Sequence, residues 1–369
     1  MKLQSDNGSR VSPDTRIDPA EHGTANPSTL QHHSIMVSAS WTSLLTSDEL
    51  QRSSHILSVV NGSAYIYGGE LLPRQPRDNH VYRVDPKPNA TQTLEETKGT
   101  SASPSPRVGT DGATLDGKIY IYSGRGGEAM APVEEHGAVW VLDTSNMEWT
   151  LLSPSDSSKP FPQARSYHCS ASNNKDEIFI HAGCPESGRL ADLWSFQPSS
   201  RTWTQLADAP SPPRGGTSIA FHNGLLYRMN GFDGKSEQGG SLDIYDRASN
   251  TWSTQKYAAD GVSGPAARSV AAVLVVVVND KPLLVTLFGE TDPSSLGHQG
   301  AGKMLGDVWA CDIASNTWSE VDTKVTNTSQ KPAPRGWFNA DVVDQSAILV
   351  SGGLGEDNNR LNDAWLLQF

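Results

Sequence analysis

The residues best suited to binding or catalysis lie in one glycine-rich segment, residues 289–302. It carries the carboxylates of Glu290 and Asp292, the hydroxyl of Ser294 and the imidazole of His298. Carboxylate and imidazole donors suit a non-haem Fe(II) site, because they leave coordination positions open for a substrate or water. The segment therefore predicts a metal site. Ordinary solvated loop side chains are the alternative, since loops often carry these residue types.

A repeat of about fifty-five residues frames this segment. Each of six units begins at an arginine, continues as an alternating apolar stretch, turns, and closes a second apolar run with glycine. An aromatic-containing strand then follows a variable loop. The repeated arginines are Arg52, Arg107, Arg165, Arg214, Arg268 and Arg335. Their recurrence at one position predicts a structural role for them rather than a catalytic one.

Each unit predicts four short antiparallel strands, and six such sheets can bury their faces by packing radially on one another. The pattern resembles the kelch repeat, so we expect an all-β, six-bladed kelch-type β-propeller over residues 39–369. The sixth unit ends at Phe369 after three strands, whereas the segment around Trp41 has the pattern of the missing fourth. We expect this N-terminal strand to complete the last blade and close the ring. Residues 1–38 are polar and aperiodic, which predicts a disordered tail.

The residue after each closing glycine is expected to line the mouth of the central channel. These residues are Glu70, Arg125, Cys184, Phe232, Glu290 and Leu354. A purely structural position would be uniform, and this one is not. Arg125 and Glu290 lie three blades apart, which predicts a cation and an anion on opposite sides of one funnel. Such a cleft suits a small anionic substrate, with Glu70 and Phe232 as further binding residues, and solvated loop charges are the alternative.

Composition and charge exclude several classes of protein. The 33 glycines, 23 prolines and 19% charged residues argue against a helical or coiled-coil protein. A formal charge of −12 disfavours a nucleic-acid partner, which would need a basic face. The apolar stretch Val273–Val278 is too short to span a membrane. Three cysteines and the lack of an apolar N-terminal run predict a reduced, cytoplasmic protein.

Longer stretches resemble the plant glucosinolate specifier proteins, which comprise the epithiospecifier, nitrile-specifier and thiocyanate-forming proteins. The likeness spans residues 39–369 and is strongest in residues 289–302. The other matching stretches are residues 52–71, 164–168, 214–216, 267–270 and 334–337. The resemblance implies an Fe(II)-dependent, lyase-like activity on the thiohydroximate-O-sulfate aglucone that myrosinase releases. Its products would be nitriles, epithionitriles or thiocyanates.

The resemblance also implies an iron-ligand pattern of Glu-x3-Asp-x3-His. Glu290 and His298 fit its first and third places, but Ser294 occupies the second. Asp292, two residues earlier, is the replacement that a shift of the loop would supply. Because a hydroxyl is a poorer ligand for a divalent metal than a carboxylate, this departure lowers the expected iron affinity.

Two arginines at the mouth hold the substrate's sulfate in the family that the chain resembles. Arg125 matches the first and Arg189, in the third loop, matches the second, and guanidinium groups make bidentate contacts to such oxyanions. Together with Glu290 and His298 they form the predicted catalytic set. Tyr167 corresponds to an aromatic residue beside the site. Trp337 corresponds to a bulky residue over the substrate side chain, and blade packing is the alternative for both aromatics.

Three functions stay open at this point. The first is a specifier-like lyase that uses Fe(II). The second is a cyclase or isomerase of specialised metabolism that has kept the pocket and changed the chemistry, which the serine at position 294 favours. The third is a non-catalytic kelch module that binds a protein partner. We rank a small-molecule pocket above the interaction module, so an enzyme is favoured.

Overall fold

The strands begin and end where the alternating apolar runs give way to turn residues. The computed structural model describes residues 37–88, 93–297 and 300–369. The predicted tail falls outside this described part except for its last two residues, and the first strand begins at Ser38. A short 3-10 helix spans Asp48–Leu50. Within the described ranges, no helix has the length and apolar character that crossing a membrane would require.

Six four-stranded antiparallel sheets form the blades, and short extra strands lie in their loops. The chain starts with β1 (Ser38–Thr46). Blade 1 contains β2 (Ser53–Val60), β3 (Ser63–Leu72), β4 (Gln75–Pro76), β5 (Val81–Val84) and β6 (Leu94–Thr97). Blade 2 contains β7 (Arg107–Val108), β8 (Gly112–Leu115), β9 (Lys118–Ile121), β10 (Arg125–Gly126), β11 (Ala131–Pro132), β12 (Val139–Asp143) and β13 (Glu148–Leu152). Blade 3 contains β14 (Cys169–Ser172), β15 (Ile178–Gly183), β16 (Leu190–Gln197) and β17 (Thr202–Leu206).

The second half of the ring follows the same plan. Blade 4 contains β18 (Ser218–His222), β19 (Leu225–Met229), β20 (Ser241–Asp246) and β21 (Thr251–Lys256). Blade 5 contains β22 (Ala272–Val278), β23 (Lys281–Leu287), β24 (Glu290–Thr291), β25 (Lys303–Met304), β26 (Val308–Asp312) and β27 (Thr317–Glu320). After β28 (Asp322–Val325), blade 6 contains β29 (Asn339–Val343), β30 (Ala347–Ser351) and β31 (Asp363–Gln368).

The two ends of the chain meet in blade 6, as the sequence predicts. Strand β1 pairs antiparallel with β31, with Trp41 opposite Leu367, and so supplies the fourth strand of the last blade. Its other edge is covered by β28, which runs parallel to it. This pairing is consistent with the predicted closure of the sixth unit by the strand around Trp41.

Six backbone hydrogen bonds form a closed ring around the propeller axis. Each donor amide in this ring bonds the carbonyl of its counterpart in the preceding blade, at 2.6–3.1 Å. The ring residues are Ser54, Gly109, Tyr167, Gly216, Val270 and Trp337. All six have positive φ, which two glycines adopt freely and the four other residues adopt at a conformational cost. The ring fixes where the side chains of Tyr167 and Trp337 stand.

The repeated arginines are buried structural residues, with at most 4% exposure each. Every one donates to the carbonyl just before the closing glycine of its own blade, and Arg165 does so to Ala182 at 3.0 Å. Five also pair with a carboxylate of the same blade, as Arg165 does with Asp192 at 2.6 Å. In blade 4 the strand register places Ser241 where blade 3 has Asp192. Arg214 therefore lacks the carboxylate found in the other blades.

Aromatic side chains of the fourth strands pack against the preceding blade. Trp149 of blade 2 lies 5.3 Å, between ring centroids, from Tyr67 of blade 1. Trp203 of blade 3 similarly lies 5.4 Å from Tyr122 of blade 2. Such pairs bury large apolar areas between adjacent sheets. The tryptophans thus belong to the scaffold, as their recurrence predicts.

Candidate functional site

The six residues after the closing glycines occupy equivalent places at one end of the ring. Each pairs with the residue that directly follows a repeated arginine. The whole set therefore lies beside the axial hydrogen-bond ring. The pairs are Glu70 with Ser53, Arg125 with Val108, Cys184 with Ser166, Phe232 with Gly215, Glu290 with Ser269 and Leu354 with Gly336. The strand ends therefore hold all six residues at one end of the ring. Of the six, Glu70, Arg125 and Leu354 line the depression described next.

A depression at this end brings several charged groups together. Its enclosed volume of ≈ 20 Å³ has room for about one water-sized group, so a larger ligand would sit over it. The lining residues are Ser53, Glu70, Arg74, Arg125, Met130, Tyr167, Gly300, Trp337, Leu354 and Arg360. Three arginines against one glutamate give this lining a formal charge of +2. We call this depression the mouth.

A buried ion pair joins the first and last blades at the mouth. Nη2 of Arg360 donates to Oε1 of Glu70 at 2.7 Å, and the two side chains are 4% and 9% exposed. The backbone amide of Arg74 donates to the other carboxylate oxygen, also at 2.7 Å. Burial raises the pKa of Glu70, and its bonds to Arg360 and Arg74 oppose that rise. Glu70 thus orients Arg360, although burial disfavours the ionised form of Glu70.

Arg125 is held at the mouth by weaker, neutral contacts. Its Nε donates to Oγ of Ser166 at 3.2 Å and its Nη2 to the carbonyl of Pro185 at 3.5 Å. No ion pair to Glu290 or to another carboxylate is found for Arg125 among the described residues. Its guanidinium charge is therefore available to an anion at the mouth.

Tyr167 and Trp337 form the floor of the mouth. Their rings meet edge to face, with centroids 5.3 Å apart and planes at 82°. Both side chains also line the central channel on the other side, so they separate the two spaces. Burial raises the pKa of Tyr167; the charge of Glu70 adds to that rise and Arg125 opposes it. The two aromatic residues therefore supply both ring packing and a site-facing surface.

Arg189 and Phe232 form a separate contact beside the mouth. Nε of Arg189 donates to the carbonyl of Phe232 at 2.9 Å, and the guanidinium lies 5.1 Å from the centroid of the Phe232 ring. Arg189 and Arg125 both lower the pKa of the Cys184 thiol, although burial raises it more strongly. Cys184 thus has both predicted arginines nearby, whereas Arg189 and Phe232 are not among the residues that line the mouth.

Glu290 lies beside Trp337 and is not among the residues that line the mouth. Its Oε1 accepts a hydrogen bond from the amide of Gly302 at 2.7 Å. Burial raises the pKa of Glu290, and hydrogen bonds from Gly302 and the Trp337 indole oppose the rise. Glu237, in the loop of blade 4, has its pKa raised to about 7, first by burial and then by the charges of Glu290 and Asp292. Three carboxyl groups therefore share this side of the site.

The predicted Fe(II) set does not converge among the described residues. Asp292 is exposed, and the Ser294 hydroxyl accepts a hydrogen bond from the amide of Leu296 at 3.1 Å. His298 lies outside the described residues. Within the described ranges, no three His, Cys, Asp or Glu side chains are placed to hold one metal ion. Fe(II) binding by Glu290, Asp292, Ser294 and His298 therefore stays a prediction, and no reaction step is derived through it.

Sequence reasoning missed Arg74, Arg360 and Glu237. Arg360 pairs with Leu354, and Glu237 with Phe232, across the loop that leaves each mouth position. These returning residues come six and five positions after their partners, and the loops differ in length between blades. Variable spacing hides them from a search at a fixed repeat. Only the pairing within each loop hairpin would have identified them.

Comparison with known proteins places this geometry in a family. Residues 54–289 match the model of the KLHDC2/KLHL20/DRC7 kelch-repeats domain. The solved structure of YjhT matches with a TM-score of 0.65 at 15% identity, over 88% of this chain and 99% of that one. At this identity the likeness concerns the fold.

Three curated relatives are similar to most of this chain. The N-(sulfonatooxy)prop-2-enimidothioate sulfolyase of Thlaspi arvense is 24% identical over 338 residues, which cover 85% of this chain and 91% of the relative. The kelch-like protein terF of Aspergillus terreus is 24% identical over 328 residues, which cover 85% of this chain and 64% of the relative. The leucine-zipper-like transcriptional regulator 1 homolog of Drosophila melanogaster is 23% identical, and the matched region is 32% of its length.

Proposed function

The chain belongs to the KLHDC2/KLHL20/DRC7 kelch-repeats domain family, and from this premise we propose that its mouth binds a small anionic substrate and promotes loss of an oxyanion from it. The observation that carries the proposal is the collection of Arg74, Arg125 and Arg360 around one depression with a single carboxylate, Glu70. A net positive mouth on a chain of formal charge −12 concentrates anions at this place. The relative that acts as a sulfolyase supplies the substrate class, an N-sulfonatooxy compound.

In the proposed reaction the N–O bond of the substrate breaks, and its electron pair leaves with the sulfate. The electron pair of the C–S bond forms the third C–N bond of the nitrile, and the sulfur is released as elemental sulfur or adds to the side-chain double bond as a thiirane. Arg125 and Arg360 would neutralise the charge that develops on the departing sulfate, which is electrostatic stabilisation of the transition state. Tyr167 and Trp337, as the floor, would exclude water from one side of the substrate and direct its rearrangement. Fe(II) dependence is a separate proposal that rests on Glu290, His298 and the resemblance to the specifier proteins.

The test uses the aglucone that myrosinase generates in place from 2-propenyl glucosinolate, with products measured by gas chromatography and mass spectrometry. We expect the wild-type protein to raise the share of nitrile or epithionitrile above the spontaneous share. Arg125→Gln should lower this effect at least tenfold, whereas Arg83→Gln should not change it, because Arg83 is half exposed and pairs with Glu95 away from the mouth. Identical products with and without the protein would refute the proposal.

Iron dependence is tested apart from that assay. Purified protein loaded with Fe(II) under anaerobic conditions would be compared with Glu290→Gln by metal analysis. We expect the variant to retain less iron, since a buried carboxylate is lost. Equal iron in both samples would remove Glu290 from the ligand set and leave the anion-binding proposal intact.

A second candidate is a cyclase or isomerase that uses the same mouth. The pKa of Glu237, raised to about 7, favours it, because a carboxyl group that titrates near neutrality suits general acid–base catalysis. Under this candidate, Glu237→Gln would abolish turnover of a substrate that lacks a sulfate, and Arg125→Gln would not.

Binding of a protein partner is the third candidate, since kelch domains commonly mediate protein interactions. The exposed apolar side chains of Leu71, Leu72 and Leu296 favour it, being 37%, 55% and 70% exposed. Replacing these leucines by serine should release such a partner without changing the binding of small anions. Loss of both would contradict this assignment.

A further inference from the structure

The central channel forms a large cavity on the far side of the aromatic floor from the mouth. Its volume is ≈ 650 Å³, and the innermost strands of all six blades line it. Sites for small molecules have volumes of this order. The lining reaches Asn174 and Gln345, which are exposed residues of hairpin turns, so the channel communicates with solvent at the end opposite the mouth.

The charge of this lining is opposite to that of the mouth. Asp111 and Asp341 are the acidic residues of the described lining, and that lining contains no Lys or Arg. Burial raises the pKa of both carboxyl groups to about 6, and the charge of Asp111 adds to the rise at Asp341. Both carboxyl groups therefore belong to the wall of one cavity.

Both carboxylates are fixed by hydrogen bonds between blades. Oδ2 of Asp111 accepts from the amide of Ser170 in blade 3 at 2.7 Å. Oδ2 of Asp341 accepts from the amide of Val59 in blade 1, also at 2.7 Å. The other oxygen of each carboxylate accepts from the amide of the next residue, Gly112 or Val342. These bonds hold both carboxylates in fixed positions at the wall of the cavity.

Polar side chains without partners point independently to a ligand. His168 lines the cavity with 5% exposure, and neither of its ring nitrogens has a hydrogen-bond partner among the described residues. The hydroxyl of Ser170, a residue that is 9% exposed, also has no hydrogen-bond partner among the described residues. Burial and the charge of Arg165 lower the pKa of His168 to about 3, so the imidazole is neutral and does not repel a cation. Buried polar groups of this kind normally have a partner.

We propose that the channel is a second binding site, which takes a small organic cation with its ammonium group between Asp111 and Asp341 and beneath the ring pair of Tyr167 and Trp337. Aromatic faces attract such cations, and the carboxylates supply the countercharge. A bare metal ion fits less well, because no group of three ligating side chains is found among the described residues. Each carboxylate also already accepts two backbone amide hydrogen bonds, from Gly112 and Ser170 to Asp111 and from Val59 and Val342 to Asp341.

The test is isothermal titration calorimetry at low salt with putrescine, and with 1,4-butanediol as a neutral probe of similar length. We expect the wild-type protein to bind putrescine at least tenfold more tightly than the diol. Asp111→Asn and Asp341→Asn should each weaken putrescine binding at least tenfold, since asparagine removes the charge while keeping one acceptor oxygen. Thermal unfolding of each variant establishes that it is folded.

A third variant keeps the test decisive if the asparagine variants do not fold. His222→Lys adds a cation to the half-buried lining without touching either carboxylate, and should weaken putrescine at least tenfold. Arg125→Gln, at the mouth, should leave it unchanged and so separates this site from the proposed function. Equal affinities for putrescine and the diol, unchanged affinity in His222→Lys, or Mg²⁺ binding that displaces putrescine would each overturn the proposal.

Discussion

Replacing Glu70 by glutamine should lower the stability of the propeller and raise the affinity of the mouth for anions. The change removes the negative partner of Arg360 from a contact of 2.7 Å between side chains that are 4% and 9% exposed. Breaking a buried pair costs about 3–5 kcal/mol when one partner is deleted. Because glutamine keeps an acceptor for Arg360, we expect a smaller loss, about 2 kcal/mol in the free energy of unfolding.

The same change raises the formal charge of the mouth from +2 to +3. At an effective dielectric constant of about 20, a unit charge about 8 Å from a bound anion contributes about 2 kcal/mol, and salt reduces this to roughly a tenfold gain in affinity. Urea unfolding and calorimetric titration with 4-nitrophenyl sulfate measure the two effects.

Glu95→Gln, in the same blade, is the matched control. Its pair with Arg83 spans 3.5 Å between side chains that are 46% and 58% exposed, so less than about 1 kcal/mol is expected. The reasoning would be refuted if Glu70→Gln bound the sulfate ester no more tightly than Glu95→Gln. It would also be refuted if the two variants had the same stability.

Three further predictions concern the scaffold and the acidic side of the site. Asp307→Asn should cost about 3 kcal/mol of unfolding free energy, because it leaves the buried Arg268 without its carboxylate. Ser241→Asp should instead raise the melting temperature by supplying Arg214 with one; an unchanged melting temperature would argue against the assigned register. The pKa of Glu237 is about 7 in the folded protein, so this group keeps a proton that the unfolded chain loses near pH 4.5. The free energy of unfolding that Glu237 contributes is therefore largest at low pH and declines towards pH 7. Glu237→Gln should flatten this decline in urea unfolding at a series of pH values, and an unaltered pH profile would contradict the raised pKa.

The repeat made most of the fold predictable from the sequence. The arginines and closing glycines recur because every blade needs the same buried guanidinium and the same sharp turn. The segment around Trp41 was recognisable as a fourth strand because blade 6 would otherwise have an open edge. Closure by the axial hydrogen bonds could not be predicted, since it depends on positive φ at residues such as Val270, which seldom adopt it.

The site was predictable only where it follows the fixed repeat. Glu70 and Arg125 come directly after closing glycines, and both line the mouth. Arg360 lies beyond a loop of variable length, and its pairing with Glu70 joins residues 290 positions apart. Neither the spacing nor the residue types could indicate that contact. Asp111 and Asp341 escaped notice because they belong to the innermost part of blades 2 and 6, which the repeat predicts only as scaffold; Asp111 directly precedes β8, and Asp341 lies within β29.

Titration of the protein with 4-nitrophenyl sulfate tests the central claim, an anion site at the mouth, most directly. A charge-assisted contact contributes about 1.5–3 kcal/mol, so Arg125→Gln should weaken the sulfate ester by roughly tenfold or more. Arg83→Gln should bind it as the wild-type protein does, and 4-nitrophenol should not distinguish the three proteins. Equal affinity of the wild-type protein and Arg125→Gln for the sulfate ester would contradict the account.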